Sequence, residues 1–307
     1  MTFAEKRLNK KFDKIRRLEE TGVLAEKKRG NRAINKFKSN KLAVVGLVIF
    51  LLILLSCLFA PLLTSYDPEA VNLADMLQKP TKAHPFGTDK IGRDLFARAL
   101  YGGRTSIMVA GLGALGGTII GVFLGALAGY KGGWIDRISM RISEMFMAFP
   151  KLVLVLMMVA IMGQSVRNIV IIFIITGWSG VYRQTRAAML SIREEEYVQA
   201  LHAFGLNEML ICFKHMMPNA LSPIIVNVTI NIASGILEEA SLSFLGLGIP
   251  VGTPTWGNIL NAAQDMYTLQ NSWWIWLPVG ALICLFVMSV NFVGDGIRDT
   301  TDSSIQG

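Results

Sequence analysis

Long apolar runs separated by shorter polar connections dominate the chain. A bilayer core needs about 20 mostly apolar residues per helix, and on that ruler the sequence divides into six spans. The first runs from Leu42 to Leu63 and ends around Pro61, the second from about Thr105 to Tyr130, and the third from about Ile142 to Met162. The fourth, Ile169 to about Tyr182, is short. The fifth covers Ile224 to about Phe244. The sixth covers about Ile275 to Val293 and is approached through Trp273, Trp274 and Trp276, an aromatic cluster suited to a membrane interface. The pattern predicts an all-α polytopic membrane protein. Its parts are a basic segment 1–41, a first transmembrane helix 42–63, an external loop 64–104, a transmembrane core 105–294 with a cytoplasmic segment 183–222, and a tail 295–307.

Composition agrees: 52% of residues are hydrophobic and 17% charged, where soluble domains carry roughly a quarter charged residues. The net charge of +8 is a property of the leader, because 14 of the 30 Lys and Arg precede Leu42, which excludes a nucleic-acid-binding body. In that leader Leu8, Phe12, Ile15 and Leu18 recur at helical spacing among bases. This is the pattern of a helix on an anionic membrane surface, with a solvated basic tail as the alternative. The leader is too long for a signal peptide, so the first span reads as an uncleaved anchor. Lys131, Arg137, Arg141, Arg183, Arg186, Arg193 and Lys214 cluster after spans two and four, and the positive-inside bias puts both termini in the cytoplasm. Cys57, Cys212 and Cys284 are too few and too far apart for a disulfide framework or zinc site, and read as buried small hydrophobes.

Within the second span Gly113, Gly117, Gly121, Gly125 and Gly129 recur every fourth residue, a stripe for close helix approach or for a flexible gate. In the fifth, Asn227 and Asn231 share a face and Glu238 and Glu239 follow towards its outer end. Polar groups at bilayer depth face protein or a water-filled path, so Asn227 and Asn231 are candidates either for pathway lining or for helix-to-helix hydrogen bonding. The segment from about Gly92 to Leu100 predicts an interfacial helix or an elbow leading into span two. No metal-ligand pair, phosphate loop or nucleophile-base constellation occurs, so neither catalytic nor metal residues are assigned and uphill transport needs energy from a partner.

The segment Tyr182 to Ser222 is polar yet patterned. Glu194, Glu195 and Glu196 load a helix N-terminus, Val198, Leu201 and Leu206 supply apolar contacts, and Gly205 interrupts the helix. A second short helix through Ile211 is expected to stop at Pro218 and Pro223. Such a knob docks into a partner's groove or packs on its own helix ends.

At Glu196-Tyr197-Val198, Ala200, Gly205, Ile211, His215 and Pro218-Asn219 the sequence resembles the cytoplasmic coupling loop of inner-membrane permeases of ABC importers, in the peptide-importing subgroup. The general pattern is E-A-A, three residues, Gly, nine residues, I-x-L-P. Gln199-Ala200-Leu201, Gly205 and His215-Met216-Met217-Pro218 align with it, matching at Ala200, Gly205 and Pro218. The block His84-Pro85-Phe86-Gly87-Thr88-Asp89, with Gly92-Arg93-Asp94 and Arg98, is similar to the external loop of the C-type subunit of dipeptide and oligopeptide permeases. So are the runs from Glu239 to Gly248, Trp256-Gly257, and Asn291 with Gly294-Asp295, Arg298-Asp299 and Asp302 to other parts of that subunit.

The resemblance implies the type I permease fold of ABC importers in a prokaryotic cytoplasmic membrane. Its partners would be a homologous second permease, two ATPases and an extracytoplasmic solute-binding protein that delivers peptide. ATP and magnesium would sit on the ATPases, with no cofactor on this chain. Carried over residue by residue, ATPase coupling falls to Glu196, Tyr197, Val198, Gln199, Ala200, Leu201, Ala203, Phe204, Gly205, His215 and Pro218. Nickel or metallophore import is the alternative within the family. An ion-coupled secondary transporter, the alternative outside it, would need buried titratable groups and broken helices near the midplane.

Overall fold

The computed structural model describes residues 35–302. Leu8, Phe12, Ile15 and Leu18 of the leader, and the last residues of the tail, lie outside the described residues. Among the described residues the elements are helical, and extended pairing is limited to a bridge between Thr88 and Asp94.

Helix α1, Lys41–Leu58, begins at Asn40, whose side chain accepts from the Ala43 amide at 3.1 Å and donates to Asp299 at 2.9 Å. It stops at Phe59 instead of continuing to Leu63. A single turn, Ala60–Leu63, follows with Pro61 in its first positions, where a missing amide hydrogen costs nothing. Helix α2, Leu95–Lys131, has 37 residues and starts well before Thr105. Asp94 is its N-cap and accepts from the Ala97 amide at 2.6 Å. The expected interfacial helix from Gly92 to Leu100 is therefore the first turns of α2: the elbow reading holds.

The predicted third span is two helices, α3 (Gly133–Ala148) and α4 (Lys151–Met162), bent by 92° at their junction. Pro150 causes the break. Proline forces its predecessor out of helical conformation, and Phe149 is extended at φ −101°, ψ 143°.

Helix α5, Val166–Arg193, runs 28 residues, beyond the short span expected to end at Tyr182. What ends at Tyr182 is apolarity, not helix: Arg186 donates to both oxygens of Asp136 of α3 through its Nε and Nη2, the latter at 2.6 Å. Then come α6 (Glu196–Ala203), a turn at Glu208–Leu210 that widens into a π-helical stretch Ile211–Met216, and α7 (Met217–Phe244). Pro218 sits in the first turn of α7, so it starts that helix rather than stopping the previous one, and Pro223 lies within it. Short helices α8 (Trp256–Leu260) and α9 (Met266–Asn271) precede α10, Trp273–Asp302.

Among the described residues four helices are long and apolar enough to cross a bilayer, five if α3 and α4 form one broken span. Apolarity alone thus does not reach the expected six, because α5 is polar along its second half.

The glycine stripe packs α2 on α5, the most extensive helix pair of the fold. A β-carbon at Gly113 would lie 2.6 Å from Phe173, at Gly121 2.7 Å from the Trp178 carbonyl, at Gly125 2.6 Å from the Tyr182 carbonyl and at Gly129 2.7 Å from Met189. The close-approach reading is correct, and the neighbour the stripe meets is within the chain. Gly46 likewise lets α1 settle on Phe292 of α10. Cys57 and Cys212 are buried, whereas Cys284 is exposed on α10, so the expectation of three buried thiols fails there.

Candidate functional site

Two regions carry polar groups beyond what packing requires. At the first, α5 ends at Arg193 and Glu195 stands at the N-cap position of α6 without a side-chain capping bond, so the three glutamates straddle a helix junction instead of loading one turn. Val198 is fully buried with Ile211, Cys212 and Met216 under the ends of α2 and α5, while Leu201 and Leu206 pack at the edge of that cluster. Burial among apolar side chains pushes the Cys212 thiol up to about 11. Gly205 takes φ +72° and turns the chain, with its amide bonded to the His202 carbonyl at 2.9 Å. Phe204, just before it, is 81% exposed.

The predicted coupling residues therefore sort by face. Glu196, Tyr197, Gln199, Ala200, Ala203, Phe204, Gly205 and Pro218 are exposed, Val198 is buried, and Leu201 and His215 lie between. Asn219 ties the two arms together by donating to the Tyr197 hydroxyl at 2.9 Å and to the His215 carbonyl at 3.3 Å. Gln199 donates to the Glu194 carbonyl at 3.2 Å. His202, not among the predicted residues, stacks on Tyr130 of α2.

The second region lies inside the helix bundle. Asn227 hydrogen-bonds Gln184 of α5, which favours helix bridging at that position. Asn231 lines a cavity of about 20 Å³ together with Lys151, Glu238, Gly113, Gly177 and Gly235. Lys151 and Glu238 form an ion pair at 2.6 Å. Sequence reasoning missed Lys151 because the predicted third span, Ile142 to Met162, runs straight through it as a single lysine in a mostly apolar run.

The neighbouring carboxylate behaves differently. Glu239 is completely buried and accepts from Ser106 of α2 at 2.6 Å and from Ser243 at 2.8 Å. The same Ser106 hydroxyl accepts from the Trp256 amide at 3.2 Å. Consecutive residues, about 100° apart round the helix, thus meet different neighbours of α7: Glu239 fastens it to α2 and α8, and Glu238 lines the cavity.

Ahead of α2 and into its first turn the block from His84 to Arg98 closes on itself. Asp94 caps α2 with one oxygen and meets His84 Nδ1 at 2.7 Å with the other, Asp89 pairs with Arg93 at 2.7 Å, and Arg98 donates to the Pro68 carbonyl at 3.0 Å. Gly92 has φ +77°, and a β-carbon there would overlap the Asn72 carbonyl. Outside the spans, Lys90 meets Asp265 at 2.6 Å; its ammonium and the Thr268 hydroxyl hold that carboxyl well below the usual carboxylate range.

A helical bundle with a sharply bent apolar helix pair, a partly exposed ion pair between helices and a helix-turn-helix knob at one end has the build of a transport permease. Residues 121–306 match the family described as binding-protein-dependent transport system inner membrane component, and residues 29–80 match the N-terminal TM domain of oligopeptide transport permease C. The chain belongs to this family of inner-membrane transport permeases.

It is 41% identical over 274 residues to the dipeptide transport system permease protein DppC of Alkalihalophilus pseudofirmus, covering 89% of this chain and 90% of that protein. It is 38% identical to the oligopeptide transport system permease protein OppC of Bacillus subtilis, covering 89% of each. To the probable D,D-dipeptide transport system permease protein DdpC of Escherichia coli it is 36% identical over 293 residues, 94% of this chain and 98% of that one. In fold it resembles a chain of the MetNI methionine ABC transporter in an inward-facing conformation, with TM-score 0.55 and 21% identity over 67% of this chain and 96% of that one. A broken span and a buried carboxyl, the two features asked of an ion-coupled transporter, are both present; membership of the permease family decides against that reading.

Proposed function

We propose that this chain is one half of the translocation pathway of an ATP-driven importer for peptides in a bacterial cytoplasmic membrane, with both termini inside. A homologous permease completes the pathway, two ATPases bind and hydrolyse ATP with magnesium, and an extracytoplasmic binding protein delivers cargo. The observation that carries this is the coupling knob. Val198 anchors α6 beneath α2 and α5, while Ala200, Ala203 and Phe204 stay uncovered, an apolar face that a partner's groove would shield from water. Peptide cargo is supported by the three relatives, each named as a peptide permease.

Glu196 to Pro218 would transmit closure of the ATPase pair to α2 and α5, and Asn231 would line the path. The test is peptide uptake by the complex in proteoliposomes, with nickel and a nickel chelate as competing cargoes. ATP-dependent peptide uptake that vanishes when the ATPases are omitted is the expected result. Uptake without them, or of nickel alone, would overturn it. In the same assay Asn231→Ala should be tolerated better than Asn231→Leu, because leucine fills the polar cavity.

A further inference from the structure

We infer that Lys151 and Glu238 form a charge-recognition station on the translocation path, where the terminal carboxylate of a peptide engages the Lys151 ammonium and its terminal ammonium engages Glu238. The inference rests on the peptide-permease reading above. Asn231, Gly235 and Glu238 stand at i, i+4 and i+7, which places them on one face of α7. Glu238 lies about 9 Å along the axis from the end of that helix, at bilayer depth. Across the cavity Lys151 is the first residue of α4, brought there by the 92° bend at Pro150.

Stability does not account for this pair. A cation at a helix N-terminus opposes the macrodipole, and an intramembrane ion pair adds little over two well-packed apolar side chains. The Lys151 and Glu238 side chains keep 46% and 24% of their surface open. Charges with open surface at this depth face water, cargo or protein, not lipid.

The cavity as it stands has room for about one water, so a zwitterionic peptide enters by parting Lys151 from Glu238, which replaces one ion pair by two and leaves the site neutral. The Asn231 amide beside them supplies a donor and an acceptor for a peptide bond. A bare metal cation would instead meet the lysine's like charge.

The experiment uses the full complex with radiolabelled dialanine and trialanine as probes. Three double variants are compared: Lys151→Met with Glu238→Leu, Lys151→Gln with Glu238→Gln, and the exchange Lys151→Glu with Glu238→Lys. Co-purification with the partner subunits is measured in each, and the paired glutamines keep a hydrogen bond between α4 and α7. Uptake at least ten-fold down in both uncharged variants, with at least a third retained by the exchanged pair, is expected. Wild-type uptake by either uncharged variant would reduce the pair to a helix fastener and overturn the inference. Failure of the wild-type complex to import either peptide would instead strike the peptide-permease reading.

Discussion

Tyr130, at the end of α2, lies flat on His202 of α6, with ring centroids 5.8 Å apart, planes 6° from parallel and the tyrosine hydroxyl 3.2 Å from Nε2. This contact joins the coupling knob directly to the longest helix. Stacked ring pairs contribute about 0.5–1.5 kcal/mol beyond burial. Tyr130→Phe keeps the stack and should retain most uptake. Tyr130→Ala should raise the ATP hydrolysed per peptide imported several-fold while the ATPases still co-purify, and an unchanged ratio would detach this pair from coupling.

Gly205 tests the turn. Among the described residues no atom lies within 4 Å of a β-carbon built there, so the cost of a substitution is that of its left-handed backbone. Gly205→Val should cost about 1–2 kcal/mol locally, leave membrane insertion normal and weaken ATPase co-purification, with Gly205→Asn close to wild type. Ala200→Arg, on the exposed face of α6, should weaken it by placing a charge in the docking groove. Wild-type co-purification and uptake in Gly205→Val and Ala200→Arg would remove the knob from the mechanism.

The glycine stripe offers an internal control. Gly121 meets backbone atoms of α5, whereas Gly111, on the same helix, has nothing within 4 Å. Gly121→Ala should destabilise the detergent-solubilised protein by about 1–3 kcal/mol through overpacking, seen as a lower melting temperature, and Gly111→Ala should be neutral.

Glu239 separates hydrogen bonding from charge. Glu239→Gln retains an acceptor and should be tolerated. Glu239→Leu leaves the Ser106 and Ser243 hydroxyls without their acceptor and should cost about 1–3 kcal/mol for each buried group, again read from melting.

The Asp265 carboxyl is depressed first by Lys90 and then by Thr268. A folded-state value below the unfolded one means that its contribution is present above the ordinary carboxylate range and fades as pH falls towards the depressed value. Lys90→Ala should move the Asp265 titration upward, measurable by NMR on labelled protein. High salt should do the same in the wild type, because the pair is exposed and screened.

Four of the six expected spans were legible because bilayer crossing imposes one crude rule, a long apolar run, and the glycine stripe was legible because its period is regular. The bend at Pro150 was missed because the predicted third span runs straight through it, although Asp136, Arg137, Arg141 and Glu144 make α3 amphipathic and α4 is apolar after Lys151. The length of α5 was hidden for the opposite reason, since Arg186 is polar in sequence yet satisfied inside the fold by Asp136. Glu238 and Glu239 read as one acidic pair until the helix turned them to different neighbours. The block from His84 to Asp94 pointed to the family, but its role as a clasp needed partners that only folding brings together.

Helix α2 is an unbroken rod about 55 Å long. One end is capped by Asp94 within the clasp of residues 84–94, and the other carries Tyr130 against His202 of α6. The glycine contacts make it travel with α5 rather than flex alone. It is therefore a lever: a tilt of about 5° about one end sweeps the other through about 5 Å at this length. Asp94 and Tyr130, at opposite ends of its 37 residues, are thus held by one continuous element, and a displacement at either end is carried to the other without a chain of intermediate side-chain rearrangements.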